Sequence, residues 1–318
     1  MLDLTILNKN IETPEIFSFE LGFKCGKDLP EFEAGSHIDV HVNDQITRQY
    51  SLFNDPVNRK TYKIAVLKDP NSRGGSVAVH ETFKVGDTLQ VSSPRNLFPL
   101  NTDCKRVLLF AGGIGITPLI SMAKVLHRLG CDFELHYHTR SKASTAFIDE
   151  LVQSAYSANI FFHFSDEEND KSVAIKKALA NPSDDVHLYT CGPNGYMDYV
   201  FDTARSLSWH DNNLHKEVFS AAPVELDETD KSFELKLVSS GMSLHVPHDK
   251  TALEVLEEAG IDIDFSCEQG VCGSCLTKVS SGTPDHRDQF QTESEKSLND
   301  YFTPCCSRAK TESLSIDL

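Results

Sequence analysis

Apolar and polar positions follow three different rhythms along the chain. Over the first hundred residues, short runs such as SHIDVHV (36–42), YKIAVLK (62–68) and DTLQVSSP (87–94) have strand composition, punctuated by Pro30, Gly35, Pro56, Pro70, Gly74, Gly75, Gly86 and Pro94. Several short strands at close spacing predict a small β-barrel or sandwich. Near residue 105 the rhythm changes. RVLLFAG (106–112) is a continuous apolar run, as in a strand buried on both faces of a parallel sheet. TPLISMAKVLHRLG (117–130) carries apolar residues at helical spacing, with Pro118 at an early helical position. DFELHYHTRS (132–141), NIFFHFS (159–165) and VHLYTCG (186–192) read as strands, and AFIDELVQSA (146–155) and YMDYVFDTARSL (196–207) as helices. Strands alternating with helices predict a doubly wound α/β domain.

SAAPVELDETD (220–230) is polar, acidic and without periodicity, and reads as a linker. A third rhythm starts at Phe233, with strand-like FELKLV and SLHVP and then the helix TALEVLEEAG (251–260). Thr251 is its expected N-cap, Glu254 completes a capping box, and Gly260 is the stop signal. The expected architecture is multidomain: a barrel over 1–100, an α/β domain over 101–222, a linker over 223–231 and a smaller α+β domain over 232–318.

Composition narrows the function classes. No run of about 18 apolar residues exists, so no membrane span is expected. The N-terminus lacks a basic segment followed by an apolar block, so no signal peptide is expected and the chain reads as cytoplasmic. A net charge of −17 disfavours nucleic-acid binding, which calls for a basic face. Nine cysteines are present, and five of them (Cys267, Cys272, Cys275, Cys305 and Cys306) crowd the C-terminal part. Where thiols stay reduced, clustering argues for metal rather than disulfides.

The stretch CEQGVCGSC (267–275) has the spacing C-x4-C-x2-C, followed after 29 residues by Cys305. Paired zinc knuckles fit this poorly, and a thioredoxin-type pair would be a single C-x2-C opening a helix. Plant-type 2Fe–2S ferredoxins have this spacing and a distant fourth cysteine. Gly270 and Gly273 let the backbone approach, with N–H groups aimed at sulfur. Cys305 and Cys306 compete as the fourth ligand, because side chains of neighbouring residues in an extended segment point opposite ways.

Upstream, AGGIGITP (111–118) joins a buried strand to a helix and makes an anion site of the helix N–H groups. Thr117 and Pro118 stand where G-x-G-x-x-G would end. YTCGPNGYM (189–197) closes a later parallel strand, so Cys191, Gly192 and Pro193 are expected in the same crevice as Gly112, Gly113 and Gly115. In the barrel, RQYSL (48–52) offers Arg48 for a phosphate, Tyr50 for an aromatic ring and Ser51 for a ring nitrogen. NSRGGSV (71–77) sets an arginine beside two glycines whose N–H groups can cradle a phosphate.

Together, Arg48-Gln49-Tyr50-Ser51, Arg73-Gly74-Gly75-Ser76, Gly112-Gly-Ile-Gly-Ile-Thr-Pro118, Cys191-Gly192-Pro193 and the cysteine cluster resemble the phthalate dioxygenase reductase family throughout its length. FEAGSHIDVHV, RQYSLFNDP, SPRNLFPL, FELHYHTRS, PDHRDQF and PCCSRA extend the likeness toward members serving an aromatic O-demethylase. The resemblance implies an FMN-binding barrel, an NADH-binding α/β domain and a β-grasp 2Fe–2S ferredoxin domain, passing electrons to a separate Rieske-type oxygenase. It implies FMN phosphate near Arg73, Gly75 and Ser76, and the flavin ring near Arg48, Tyr50, Ser51 and the Ala65–Val66 backbone. Phe219 in KEVFS would stack by the flavin, and Thr117 and Cys191 would position the nicotinamide. Arg140 and Lys142 could suit a 2′-phosphate, but the resemblance implies NADH. It also implies Cys305 as the fourth ligand, with Cys306 a packed thiol. Residues 232–318 hold 15 Asp or Glu against 7 Lys or Arg, an acidic face expected to steer a basic oxygenase surface. A phthalate-like or quaternary-amine oxygenase is the alternative partner, and a redox sensor without turnover the alternative of another class.

Overall fold

The computed structural model describes residues 1–43, 46–69, 74–166, 171–219, 226 and 229–318. The chain forms two compact units, Met1–Glu217 and Val218–Leu318.

The first unit begins with β1 (Leu2–Thr13), β2 (Ile16–Gly22), β3 (Ser36–Asn43), β4 (Ile46–Ser51), β5 (Tyr62–Leu67), the helix α1 (Gly75–Thr82), β6 (Thr88–Val91) and β7 (Arg95–Asn96). Its strands form one antiparallel sheet in the order β4-β3-β6-β1-β2-β5, with β7 beside β3. The terminal strands β4 and β5 lie against each other, which curls the sheet into a barrel. Alternation sends Leu4 and Ile6, Phe19 and Leu21, Ile38 and Val40, and Tyr62 and Ile64 inward to one apolar core. The runs that read as strand are strand here. The sequence pattern does not predict α1, because its apolar positions are too few to mark a helical face.

The α/β part follows: β8 (Arg106–Gly112), α2 (Ile116–Leu129), β9 (Asp132–Thr139), α3 (Ile148–Gln153), β10 (Ile160–Phe164), α4 (Lys171–Ala178), β11 (Val186–Cys191), α5 (Asn194–Ser206) and β12 (Leu214–Glu217). The strand order β10-β9-β8-β11-β12 is all parallel, and the order reverses between β8 and β11. That switch point lies at the carboxyl ends of β8 and β11, where ligands of such sheets bind. Burial of β8 on both faces explains its unbroken apolar run: Val107, Leu109 and Ala111 face α2, and Leu108 and Phe110 join the α5 side. Ile16, Phe53, Ala65 and Phe98 share an apolar cluster with Leu109 and Leu119, so a common core crosses residue 100. Ser121 and Lys124 on α2 donate to the Asn54 and Phe53 carbonyls, reinforcing that junction.

The second unit has β13 (Phe233–Leu237), β14 (Ser243–Val246), α6 (Ala252–Glu258), β15 (Thr277–Ser281), β16 (Pro284–Asp285), α7 (Glu293–Leu298), β17 (Tyr301–Phe302), β18 (Arg308–Ala309) and β19 (Ser313–Ile316). The sheet order is β14-β13-β19-β15-β17, with α6 packed on it through Ala252, Val255 and Leu256. The capping box of α6 forms as expected, with Glu254 N–H donating to Thr251 Oγ1 at 3.1 Å and Thr251 N–H to Glu254 at 2.7 Å. Asp230 and Lys231, read as linker, already belong to this body: Asp230 binds Arg287, and the buried Arg308 donates to the Lys231 carbonyl. Among the described residues, no helix is long and apolar enough to cross a membrane.

Candidate functional site: a nucleotide crevice and a four-thiol loop

The crevice of the first unit is built from two turns that touch. Gly115 lies so close to the end of β11 that a Cβ there would sit 2.2 Å from the Cys191 carbonyl oxygen and 2.6 Å from Gly192 N. A Cβ on Gly192 would fall 2.9 Å from Gly112 Cα. The glycines are therefore demanded by backbone-to-backbone contact, and Gly112, Gly115, Cys191 and Gly192 form one surface, as the two motifs predict. Cys191 is fully buried between Ala111 on β8 and Glu217 on β12, and burial pushes its thiol well up. It is a neutral group at ordinary pH. Thr117 is buried too, its hydroxyl donating to the Ile114 carbonyl at 3.1 Å inside the glycine turn. Tyr196 at the start of α5 covers Gly112 and donates to or accepts from His138 Nδ1 at 2.9 Å.

Ser51, the last residue of β4, reaches this crevice. Its hydroxyl donates to Glu217 Oε2 at 3.1 Å. The Ser51–Glu217 pair therefore links the barrel to the strand beside Cys191. Glu217 keeps part of its surface, but burial of its carboxyl raises its pKa to about 8, opposed by the Ser51 hydrogen bond. Sequence reasoning missed Glu217 while naming Phe219 two residues on; the signal was the acidic residue in KEVFS itself. Phe219 falls past the boundary of the first unit and is 40% exposed.

The raised pKa has a linkage consequence. Glu217 stays protonated in the folded chain while its unfolded counterpart ionises, so the folded state binds more protons between about pH 4.5 and 8 and loses stability as pH rises through that window. Glu217→Gln, a neutral isostere, is expected to gain on the parent over that range, by roughly 2–4 kcal/mol at its upper end. Thermal melts at several pH values check this; a difference that does not grow with pH counts against it.

The barrel side is partly as expected. A Cβ on Gly75 would lie 2.8 Å from Arg48 Nε and 2.9 Å from Arg48 Cγ, so the Arg48 side chain lies against the first residue of α1. Gly74 before it has φ 91°, a left-handed conformation that suits glycine. Arg48 and the N–H groups opening α1 thus form a cradle fit for a phosphate. Ser76 Oγ accepts from Asp69 N–H at 3.1 Å, and Arg73 lies outside the described residues. Tyr50 is neutral, burial raising its pKa. Gln49 faces elsewhere, its amide donating to Asp39 Oδ1 at 3.0 Å. Ala65 and Val66 are buried on β5, and Arg140 and Lys142 lie beyond the end of β9, both exposed.

In the second unit, Cys272, Cys275 and Cys305 are buried and Cys267 is half-buried. Cys275 Sγ lies 3.4 Å from Cys305 Sγ. Cys272 and Cys305 hydrogen-bond to Cys267 and hold it far below the thiol range, while Cys272 and Cys305 themselves are pushed up. Four thiols in this space cannot all ionise without a cation among them. Among the described residues, no three His, Cys, Asp or Glu side chains converge as for a single metal ion. The run of contacts Cys272–Cys267–Cys305–Cys275 gathers four thiols, the number that the two irons of a 2Fe–2S cluster take between them. Gln269 N–H points at Cys267 Sγ (3.3 Å) and Ser274 N–H at Cys272 Sγ (3.4 Å), donors that stabilise thiolate charge. Gly270 (φ 70°) and Gly273 (φ 66°) are left-handed, and a Cβ on either would sit 2.4 Å from Cys306 Sγ or the Phe290 ring respectively. Cys306 is buried against Thr303 Oγ1 at 3.1 Å.

A family model for the 2Fe-2S iron-sulfur cluster binding domain matches residues 236–310. The chain is 50% identical to a vanillate O-demethylase oxidoreductase of Pseudomonas putida, covering all of both chains. It matches the solved structure of phthalate dioxygenase reductase, described as modular for electron transfer from pyridine nucleotides to [2Fe-2S], with 39% identity and a TM-score of 0.76 over 100% of this chain and 98% of that one. The chain belongs to the phthalate dioxygenase reductase family. An intact type IV self-sufficient cytochrome P450 monooxygenase also matches 99% of this chain with 38% identity and a TM-score of 0.89, the match taking up 41% of that longer chain. Membership accounts for a barrel, an α/β unit and a ferredoxin module in one chain, and makes this protein an oxidoreductase.

Proposed function

We propose that the chain is the reductase component of a Rieske-type oxygenase system, taking electrons from NADH through FMN and a 2Fe–2S cluster to a separate oxygenase, with an aromatic O-demethylase of the vanillate type as partner. The supporting observation is the pairing of a nucleotide crevice closed by the Gly115–Cys191 contact with four ferredoxin-spaced thiols on the same chain. We place it in the cytoplasm, where its nine cysteines stay reduced.

The residues divide the work. Arg48, Gly74, Gly75 and Ser76 would hold the FMN phosphate, and Tyr50, Ser51 and the Ala65–Val66 backbone would border the ring. Gly112, Gly113, Gly115 and Pro118 would bind the NADH pyrophosphate, with Arg140 at the adenosine end. Thr117, Cys191, Gly192 and Pro193 would seat the nicotinamide, and Phe219 keeps the stacking role implied by resemblance. Glu217 would hold a proton beside the ring through Ser51, and the uncharged Cys191 thiol keeps the floor of the crevice apolar. Cys267, Cys272, Cys275 and Cys305 would ligate the irons. When bound, FMN converts the two-electron hydride of NADH into single electrons that a 2Fe–2S cluster carries.

The deciding experiment is a visible spectrum of the purified protein. Flavin and iron–sulfur bands bleached by NADH, with FMN released by acid, are the expected result; absence of either chromophore after anaerobic reconstitution refutes the assignment. Docking makes a further prediction. Repulsion from Glu268 and Glu254, after burial, raises the Glu257 pKa, so these carboxylates form one acidic patch beside the thiol loop. Glu258 is instead paired with Lys250 at 2.6 Å. Glu257→Lys and Glu268→Lys should slow oxygenase reduction about tenfold at low salt, with NADH-to-dye turnover unchanged. Stopped-flow reduction of the oxygenase reads this, and equal rates for both variants and the parent remove the patch from docking.

A further inference from the structure

The helix α1 has eight residues, too few to be stable in isolation. Its place is set by contacts at three points. Val79 is buried in the barrel core, and His80 Nε2–H donates to the Val66 carbonyl on β5 at 2.8 Å. Arg48 lies against the N-terminal residue Gly75. The far end is held by Lys9 of β1, whose ammonium donates to the Phe83 carbonyl at 2.9 Å and the His80 carbonyl at 3.3 Å. These are carbonyls that the last turn of a helix leaves without intrahelical partners. The same ammonium stands over the Phe17 ring at 4.9 Å and the Phe19 ring at 5.5 Å, and Phe17 stacks on His80 at 4.2 Å. Lys9 is therefore fixed by two carbonyls and two ring faces, 71 and 74 residues away in sequence from the carbonyls it caps. A cation there also complements the negative end of the helix dipole, whose positive end opens beside Arg48.

We propose that Lys9 is a positioning residue for the flavin phosphate: by seating the C-terminal turn of α1 it aims the N–H groups at the other end, alongside Arg48, at the phosphate oxygens. The inference rests on assigning that N-terminus to the FMN phosphate. Lys9 sits at the opposite end of α1 from Arg48 and Gly75, so its effect should appear in the part of the affinity that the phosphate supplies.

The test compares two ligands that differ only in that group. Full-length protein with its cluster intact and its flavin removed is titrated with FMN and with riboflavin, following flavin fluorescence. Lys9→Met keeps the apolar stem over Phe17 but loses the donors; it is expected to raise the FMN dissociation constant about fivefold and to change that of riboflavin less than about twofold. Lys9→Arg, which keeps charge and donors, is expected to restore most of the FMN affinity. Equal weakening of both ligands would mean that Lys9 only stabilises the barrel, and an unchanged preference for FMN in Lys9→Met would remove it from phosphate binding; either overturns the proposal. If the parent itself binds riboflavin as tightly as FMN, the phosphate assignment fails and the Lys9 role falls with it.

Discussion

Cys305→Ser is expected to lose the iron–sulfur cluster, whereas Cys306→Ser is expected to keep it. The two cysteines are adjacent and both buried, at 3% and 1% exposure, so burial does not separate them. Their directions do. Cys305 Sγ faces Cys275 Sγ at 3.4 Å, within the group of thiols formed with Cys267. Cys306 Sγ meets the Cys305 thiol but none of Cys267, Cys272 and Cys275; it turns to Thr303 Oγ1 at 3.1 Å and fills the space that a side chain on Gly270 would need. A serine at 306 keeps a hydroxyl for Thr303 and Ser307, whereas a serine at 305 offers iron a poor ligand in place of thiolate. Removing partners that merely hydrogen-bond to metal ligands costs about 10–100-fold in metal affinity or activity, so loss of a ligand should lower cluster-dependent output more than about 100-fold. Iron per chain and the visible spectrum read the first effect; NADH-driven reduction of a one-electron protein acceptor, compared with a dye that accepts from flavin, reads the second. Retained iron in Cys305→Ser together with loss in Cys306→Ser would reverse the assignment.

Gly115→Ala should nearly abolish hydride uptake from NADH while sparing both redox groups. The added methyl would lie 2.2 Å from the Cys191 carbonyl oxygen and 2.3 Å from its carbon, and neither is the flexible end of a side chain. Either α2 or the Cys191–Gly192 turn must move. Overpacking of this kind costs about 1–3 kcal/mol of stability, which a unit of this size can bear. The functional cost is larger, because a displacement of about 1 Å at a hydride-transfer site can lose about 100-fold in rate. Rapid mixing with NADH should show this loss, with iron and flavin content and reduction by dithionite unchanged. Gly130, past the far end of α2, is the control: beyond its own chain neighbours, no described atom lies within 4 Å of the point a Cβ would take there, so Gly130→Ala meets only the strain of φ 72°. Parental NADH reduction in Gly115→Ala would show that the crevice does not seat the nicotinamide.

Much of the molecule is legible in the order of its residues. Ligand spacing in CEQGVCGSC is a local property, since a nine-residue loop wrapped around one cluster must place its cysteines at fixed offsets. The continuous apolar run of β8, the α2 periodicity and the Thr251–Glu254 capping box are local as well, and each appears where the sequence puts it. What escapes such reading is non-local. Lys9 caps a helix that begins 66 positions later, and Glu217 meets Ser51 across 166 positions. Lys9 carries no mark in its own neighbourhood, being a lysine in a long β segment, and the glutamate of KEVFS is marked by its place before Phe219 but not by anything that shows its burial.

The sequence by itself determined three rhythms, the family and the types of cofactor-binding motif, because periodicity and ligand spacing are set by chain geometry over a few residues. Only the tertiary structure decided that Cys306 packs against Thr303, that α1 exists and what holds it, and that a glutamate is neutral beside Ser51. Those outcomes depend on burial and on partners distant in sequence, and burial is a property of the packed chain.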